Sequence, residues 1–234
     1  MTQKGDILPR EEGKRPVVAL IGGTGNLGPG LALRWAHAGY PVIIGSRAAD
    51  KAQATAVELN AELGNELIVG MENVAAIQAA EICVLTVVQG VHEAALSDLK
   101  DELKGKLLID ATARMEFPKI TPPAPPSAGR IAQTMLGDEV RVVTAFQNVP
   151  ASAVRKNFRH PLDSDVLVCA DDVGAAEEAM GLATDAGMRA FYAGDLDKAI
   201  VVEGLTSLLV SMNRHYKVHG ATIKVAGISS HQTE

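Results

Sequence analysis

Aromatic residues are scarce in this chain of 234 residues: Phe, Tyr and Trp together make up 3% of it. A well-packed core must then be filled by alanine, valine and leucine, and an apolar fraction of 47% supplies enough of them. Cysteine is nearly absent. Cys83 in "EICVLTV" and Cys169 in "DVLVCAD" each sit inside a strand-like run, which excludes a disulfide framework and metal-ligand spacing and leaves two buried thiols. Positive charge is in the minority, with 22 Lys and Arg against 28 Asp and Glu and a net charge of −6. The basic footprint needed to hold nucleic acid or an anionic membrane is therefore missing. No apolar run exceeds strand length, so no membrane-spanning helix is expected. The opening "MTQKGDILPREEGKRP" has no signal-peptide core; residues 1–15 read as a mobile extension, and the expected compartment is the cytoplasm.

What is present is rhythm. From residue 17 to about 146, short apolar runs alternate with helical stretches: "VVALIG" then "LGPGLALRWAHAG", "PVIIGS" then "ADKAQATAVELNAELG", and so on through "ELIVGM", "EICVLTVV", "GKLLIDAT" and "VRVVTAF". Continuous Val/Ile/Leu runs mark strands buried on both faces. Strands separated by helices imply right-handed crossovers, so the fold class is α/β, a doubly wound, mostly parallel Rossmann-type sheet. The segment "EFPKITPPAPPSAG" carries five prolines and can be neither helix nor central strand; it is a spacer or a loop along the site's edge. Residues 16–155 read as the nucleotide-binding domain. Residues 156–234 read as a smaller C-terminal α/β lobe with one long helical run, "DKAIVVEGLTSLLVSMNRHYKVHG", and a last strand, "ATIKVAGI".

The first strand runs into Gly23-Thr24-Gly25-Asn26-Leu27-Gly28, a G-x-G-x-x-G pattern with a strand before it and a helix after. Such glycines allow a tight turn and close approach of a pyrophosphate, while free N–H groups of the helix start face the anion. The end of the second strand selects the dinucleotide. An NAD site places an acid there for the ribose hydroxyl, but this chain reads "IIGSRAADK", with Ser46, Arg47 and Lys51, and Asp50 already in the next helix. A hydroxyl, a guanidinium and an ammonium suit a 2′-phosphate, so NADP(H) is the expected cofactor.

"GGTGNLGPGLALR", "IIGSRAADKA", "VLTV", "AFQNVPA" and "VEGLTSLLVSMN" together resemble the NADPH-dependent coenzyme F420 reductases, collinearly and over nearly all of the chain after residue 16. The resemblance implies direct hydride transfer between NADP(H) and coenzyme F420, an 8-hydroxy-5-deazaflavin, as co-substrate. It implies that residues 23–28, Ser46, Arg47 and Lys51 hold the pyrophosphate and 2′-phosphate. Membrane metalloreductases carry a related domain, but with spanning helices this chain lacks. The protein's share of such a reaction is to bind, orient and exclude water, so no catalytic side chain is expected. The six histidines (37, 92, 160, 215, 219, 231) are scattered, and no metal site is expected.

Ligands of a doubly wound sheet collect at the carboxyl ends of its strands. The expected lining of the nicotinamide–deazaflavin cleft comes from three segments: Thr86-Val87-Val88-Gln89, Thr112 to Met115, and Gln147 to Ala151. Two places depart from archaeal members of the resembled family, which have Pro-Trp at Val88-Gln89 and histidine at Gln147. These departures concern the ring end of the cleft. Two other readings compete: an NADP-dependent reductase of a small keto or imino substrate, and a non-catalytic NADP-binding sensor. Finally, the 198–218 run is apolar on more than one helical face, which implies a homodimer.

Overall fold

A computed structural model describes residues 15–115 and 120–228. The expected N-terminal extension up to residue 14, Pro118 and His231 lie outside these. The chain runs β1 (Val18–Ile21), α1 (Gly28–His37), β2 (Val42–Ser46), α2 (Ala49–Leu63), β3 (Ile68–Glu72), α3 (Asn73–Ala79) and β4 (Ile82–Leu85). It continues through α4 (His92–Asp98), β5 (Leu107–Asp110), α5 (Ala128–Leu136), β6 (Arg141–Thr144) and α6 (Ala151–Arg155). Last come β7 (Asp165–Ala170), α7 (Val173–Asp185), β8 (Arg189–Gly194) and α8 (Ala199–Tyr216).

All eight strands form one sheet in the order β3-β2-β1-β4-β5-β6-β7-β8. The first six are parallel, as the crossover pattern implies; β7 runs antiparallel to β6, and β8 is parallel to β7. Strand residues alternate between two cores. Val18, Leu20, Ile44 and Val84 pack with α1, α2 and α7, whereas Ala19, Ile21, Cys83 and Leu85 pack with α3, α4 and α5. Both cysteines are buried free thiols. Burial pushes Cys83 up to about 12 and Cys169 up to about 11, which leaves neither a reactive thiolate.

The residues after 155 share the first core: Val166 and Val168 of β7 and Ala175 and Ala179 of α7 join the apolar cluster of Leu31 and Trp35. Polar ties reinforce that join. The buried Arg34 donates to the carbonyls of Val154 (2.6 Å), His160 (3.0 Å) and Ala186 (2.9 Å), and Trp35 Nε1–H donates to Leu182 O (2.8 Å). One expectation is corrected here. "ATIKVAGI" is not a strand; Asp165 N–H donates to Ile223 O (3.0 Å), but the next bond runs from Val225 N–H to the Asp165 carboxylate (2.6 Å). A side chain takes the place of the ladder's carbonyl, and regular pairing stops.

Candidate functional site

The sheet order reverses between β1 and β4, and there a doubly wound sheet opens its crevice. The turn after β1 starts at Gly22, whose φ of +68° belongs to the left-handed region, and a Cβ added there would fall 2.8 Å from Val87 Cγ1. Gly23 N–H then donates to Leu20 O (3.1 Å) and to Gly45 O (2.9 Å), fixing the loop against the ends of β1 and β2. Leu27 precedes α1 and gives no side-chain cap, and Pro29 in the first turn carries no N–H that would need one.

Two cavities open from this turn and share Gly25, Thr86, Val87 and Val88. The first, of about 510 Å³, is lined by Thr24, Ser46, Arg47, Lys51, Asn73, Val91 and Asp98, among others. Ser46 is 7% exposed; its hydroxyl oxygen accepts from Ala48 N–H (3.2 Å), which leaves its proton free to donate outward. Arg47 and Lys51 are exposed, and among the described residues neither has an ion-pair partner. The second cavity, of about 320 Å³, is mostly apolar, walled by Leu27, Ala111, Met115, Phe146, Val149 and Ala151, with Asn26, Thr86, Gln89 and Gln147 as its polar side chains.

The structure thus brings together Thr24, Gly25, Asn26, Leu27, Ser46, Arg47, Lys51, Thr86, Val87, Gln89, Met115 and Ala151 along one crevice. Gly23 and Gly28 line neither cavity; they are buried against each other at the base of the turn. Asp50 is exposed and also lines neither. Of the residues considered for the lining, Thr112, Arg114, Asn148 and Pro150 line neither cavity. Asn148 is spent on β7, donating to Asp165 O (2.7 Å), and Arg114 clasps the proline-rich segment by bonds to Ala124 O (2.7 Å) and Pro126 O. That segment is therefore tied to the strand-end loop that carries Met115.

Several positions at or behind the crevice escape a reading by motif. Asn73, buried at the start of α3, accepts from Gly22 N–H (3.4 Å) and lines the first cavity. Phe146 holds φ of +74° at the end of β6, a conformation rare outside glycine, and is braced edge-to-face by Trp35 at 5.9 Å. Behind the second cavity lies a polar cluster. His92 is 3% exposed and its Nε2 lies 2.6 Å from Asp110 Oδ2. Burial alone would lower the imidazole's pKa, but the bond and charge of Asp110 outweigh it and hold the pKa above the ordinary value. Gln147 Nε2 donates to the Asp110 carbonyl (2.8 Å). The only sequence signal was the polar end of β5, which reads as well as a strand terminus.

A family model described as "NADP oxidoreductase coenzyme F420-dependent" matches residues 17–114. An F420-dependent NADP reductase of Methanocaldococcus jannaschii is 36% identical over 222 residues, covering 90% of this chain and 98% of the relative. This chain belongs to that family. A second F420-dependent NADP reductase, from Methanothermobacter marburgensis, is 37% identical over 221 residues at the same coverage, 90% and 98%. Among solved structures, one from Arthrobacter sp. FB24, described as a candidate F420-dependent NADP-reductase, superimposes with a TM-score of 0.76 over 90% of this chain and 99% of that one. At 23% identity it speaks for the shared fold. Among the described residues there is neither a helix long and apolar enough to cross a membrane nor a group of side chains able to hold a metal.

Proposed function

We propose that this member of the F420-dependent NADP reductase family catalyses reversible hydride transfer between NADP(H) and coenzyme F420. The observation that carries the reading is the shared wall: a cavity with a cationic far end and an apolar cavity meet at Gly25, Thr86, Val87 and Val88. A 2′-phosphate dinucleotide fits the first, with the turn and the start of α1 under its pyrophosphate and Ser46, Arg47 and Lys51 at its 2′-phosphate. A flat heterocycle with a polar edge fits the second. Gln89 and Gln147 are among the polar side chains on its wall that would meet such an edge. The bound coenzymes supply the chemistry, a hydride exchanged between nicotinamide C4 and deazaflavin C5. The chain's share is to hold two rings at about 3–3.5 Å in a space closed to water.

The C-terminal residues 156–234 complete this site and form a homodimer interface. Thr206 Oγ1 donates to Gln147 O (2.8 Å), so α8 braces the ring end from behind. The opposite face of α8 exposes Val201 (65%), Leu208 (58%) and Met212 (47%), one stripe at helical spacing that a second copy would cover. Two free thiols agree with a reducing, cytoplasmic setting.

The test mixes the protein with NADPH labelled by deuterium on one face of C4 and with oxidised coenzyme F420. Loss of deazaflavin absorbance should accompany stereospecific arrival of the label. Absence of turnover, or label lost to solvent, would refute direct transfer.

A further inference from the structure

Three buried ionisable groups gather behind the ring-end cavity without lining it: His92 of α4, Asp110 at the end of β5 and Glu203 of α8, with exposures of 3%, 0% and 0%. Asp110 joins them to the cavity wall. Its Oδ2 meets His92 Nε2 at 2.6 Å, its Oδ1 accepts from Thr112 N–H (2.9 Å), and its carbonyl accepts from Gln147 (2.8 Å). Glu203 Oε1 accepts from Ala128 N–H (2.8 Å), whereas Glu203 Oε2 and Thr112 Oγ1 are buried with no protein partner.

The charges do not balance if all three groups are ionised. Two carboxylates would share one imidazolium in a dry interior, which strongly disfavours an uncompensated charge. The groups facing Glu203 do little to help. Asp110 repels it; Arg114 and the N–H groups of Ala128 and Gly129 favour its ionised form. From β7 the Cys169 thiol lies within reach of its charge. Arg130 of α5 is committed to Asp171 and Asp197. Burial dominates, and the Glu203 carboxyl is pushed up to about 7.

We propose that Glu203 works as a neutral carboxylic acid, a positioning residue that keeps the wall behind the ring-end cavity free of net charge. With Glu203 protonated, imidazolium and Asp110 carboxylate cancel. With its proton lost, a negative charge stands beside Asp110, whose carbonyl holds Gln147 of the cavity wall, and acts on a ring that gains a negative charge on accepting hydride. Deprotonated Glu203 therefore weakens binding of the reduced deazaflavin. No proton passes between Glu203 and the ring. The proposal rests on the deazaflavin reading of the second cavity.

The experiment measures the dissociation constants of reduced coenzyme F420 and of NADP+ from about pH 6 to 9, for the unaltered protein and for Glu203→Gln. In the unaltered protein, affinity for reduced coenzyme F420 should fall above about pH 7 by up to roughly tenfold per pH unit. Glu203→Gln, neutral and of the same shape, should bind as tightly as the acid form and lack that decline. Both proteins should bind NADP+ alike. A pH response unchanged by Glu203→Gln would overturn the proposal, since titration of the ligand itself appears equally in both proteins. Failure of both proteins to bind coenzyme F420 would instead overturn the reading of the cavity. If the variant does not fold, calorimetry of the unaltered protein in buffers of different ionisation enthalpy still decides. Proton uptake on binding near pH 8 is expected, and its absence would refute the idea.

Discussion

Gly30 of α1 lies directly against the backbone of Arg155 at the end of α6; a Cβ added to Gly30 would fall 2.8 Å from Arg155 N. This close approach sets where α6 stands, and the first residue of α6 is Ala151, part of the ring-end wall. Gly30→Ala should therefore act at a distance. Forcing the helices apart should cost roughly 1–3 kcal/mol of stability, and coenzyme F420 affinity should drop more than NADPH affinity. Thermal unfolding and two binding titrations check this. Lower stability with both affinities intact would show that α6 yields without moving Ala151.

Arg47 is the more direct case. A charge-assisted bond to a 2′-phosphate is worth roughly 1.5–3 kcal/mol, or about tenfold or more in affinity. Arg47→Ala should raise the NADPH dissociation constant accordingly and leave that of NADH nearly unchanged. Equal losses for both nucleotides would remove Arg47 from the 2′-phosphate.

His92 should be expendable for hydride transfer but not for stability. Replacing it by Ala strands the Asp110 carboxylate in the interior, at a cost of roughly 3–5 kcal/mol, while turnover should fall by less than the ~100-fold expected for loss of a general acid–base. A histidine with a raised folded-state pKa contributes stability fully below its unfolded value of about 6.5 and loses it as pH rises through the folded value. The stability gap between the two proteins should thus be widest on the acid side and narrow with rising pH. A gap independent of pH would mean that packing, and not charge, holds His92.

The exposed stripe on α8 gives a fourth expectation. Leu208→Lys places a charge in the proposed interface and should halve the mass seen by light scattering at micromolar protein. A monomeric mass already in the unaltered protein would remove the dimer.

How much of this was legible in advance depends on how local each signal is. The parallel sheet is written in uninterrupted runs such as "VVALI" and "VIIGS", because strands buried on both faces need no alternation. The cationic end of the first cavity was legible for the same reason, since Ser46, Arg47 and Lys51 occupy one strand end and one helical turn. Asn73 reaches Gly22 across 51 positions, and Glu203 meets Asp110 from 93 positions away. Neither pairing leaves a period or a spacing to find. The reversal of β7 was equally silent, because a short apolar run carries no direction.

With NADP(H) and coenzyme F420 in the two cavities as proposed, the shared wall makes each ligand part of the other's container. Filling one side changes the surface offered to the other, so the two affinities are linked, and the factor by which NADP+ alters the grip on coenzyme F420 must equal the reverse factor. Val88, 73% exposed and lining both sides, is where that shared factor can be tuned: a change of bulk there reaches both ligands at once. The protein thereby sets the relative stability of its ternary complexes, and with it the bound equilibrium of a reaction whose free equilibrium it cannot touch.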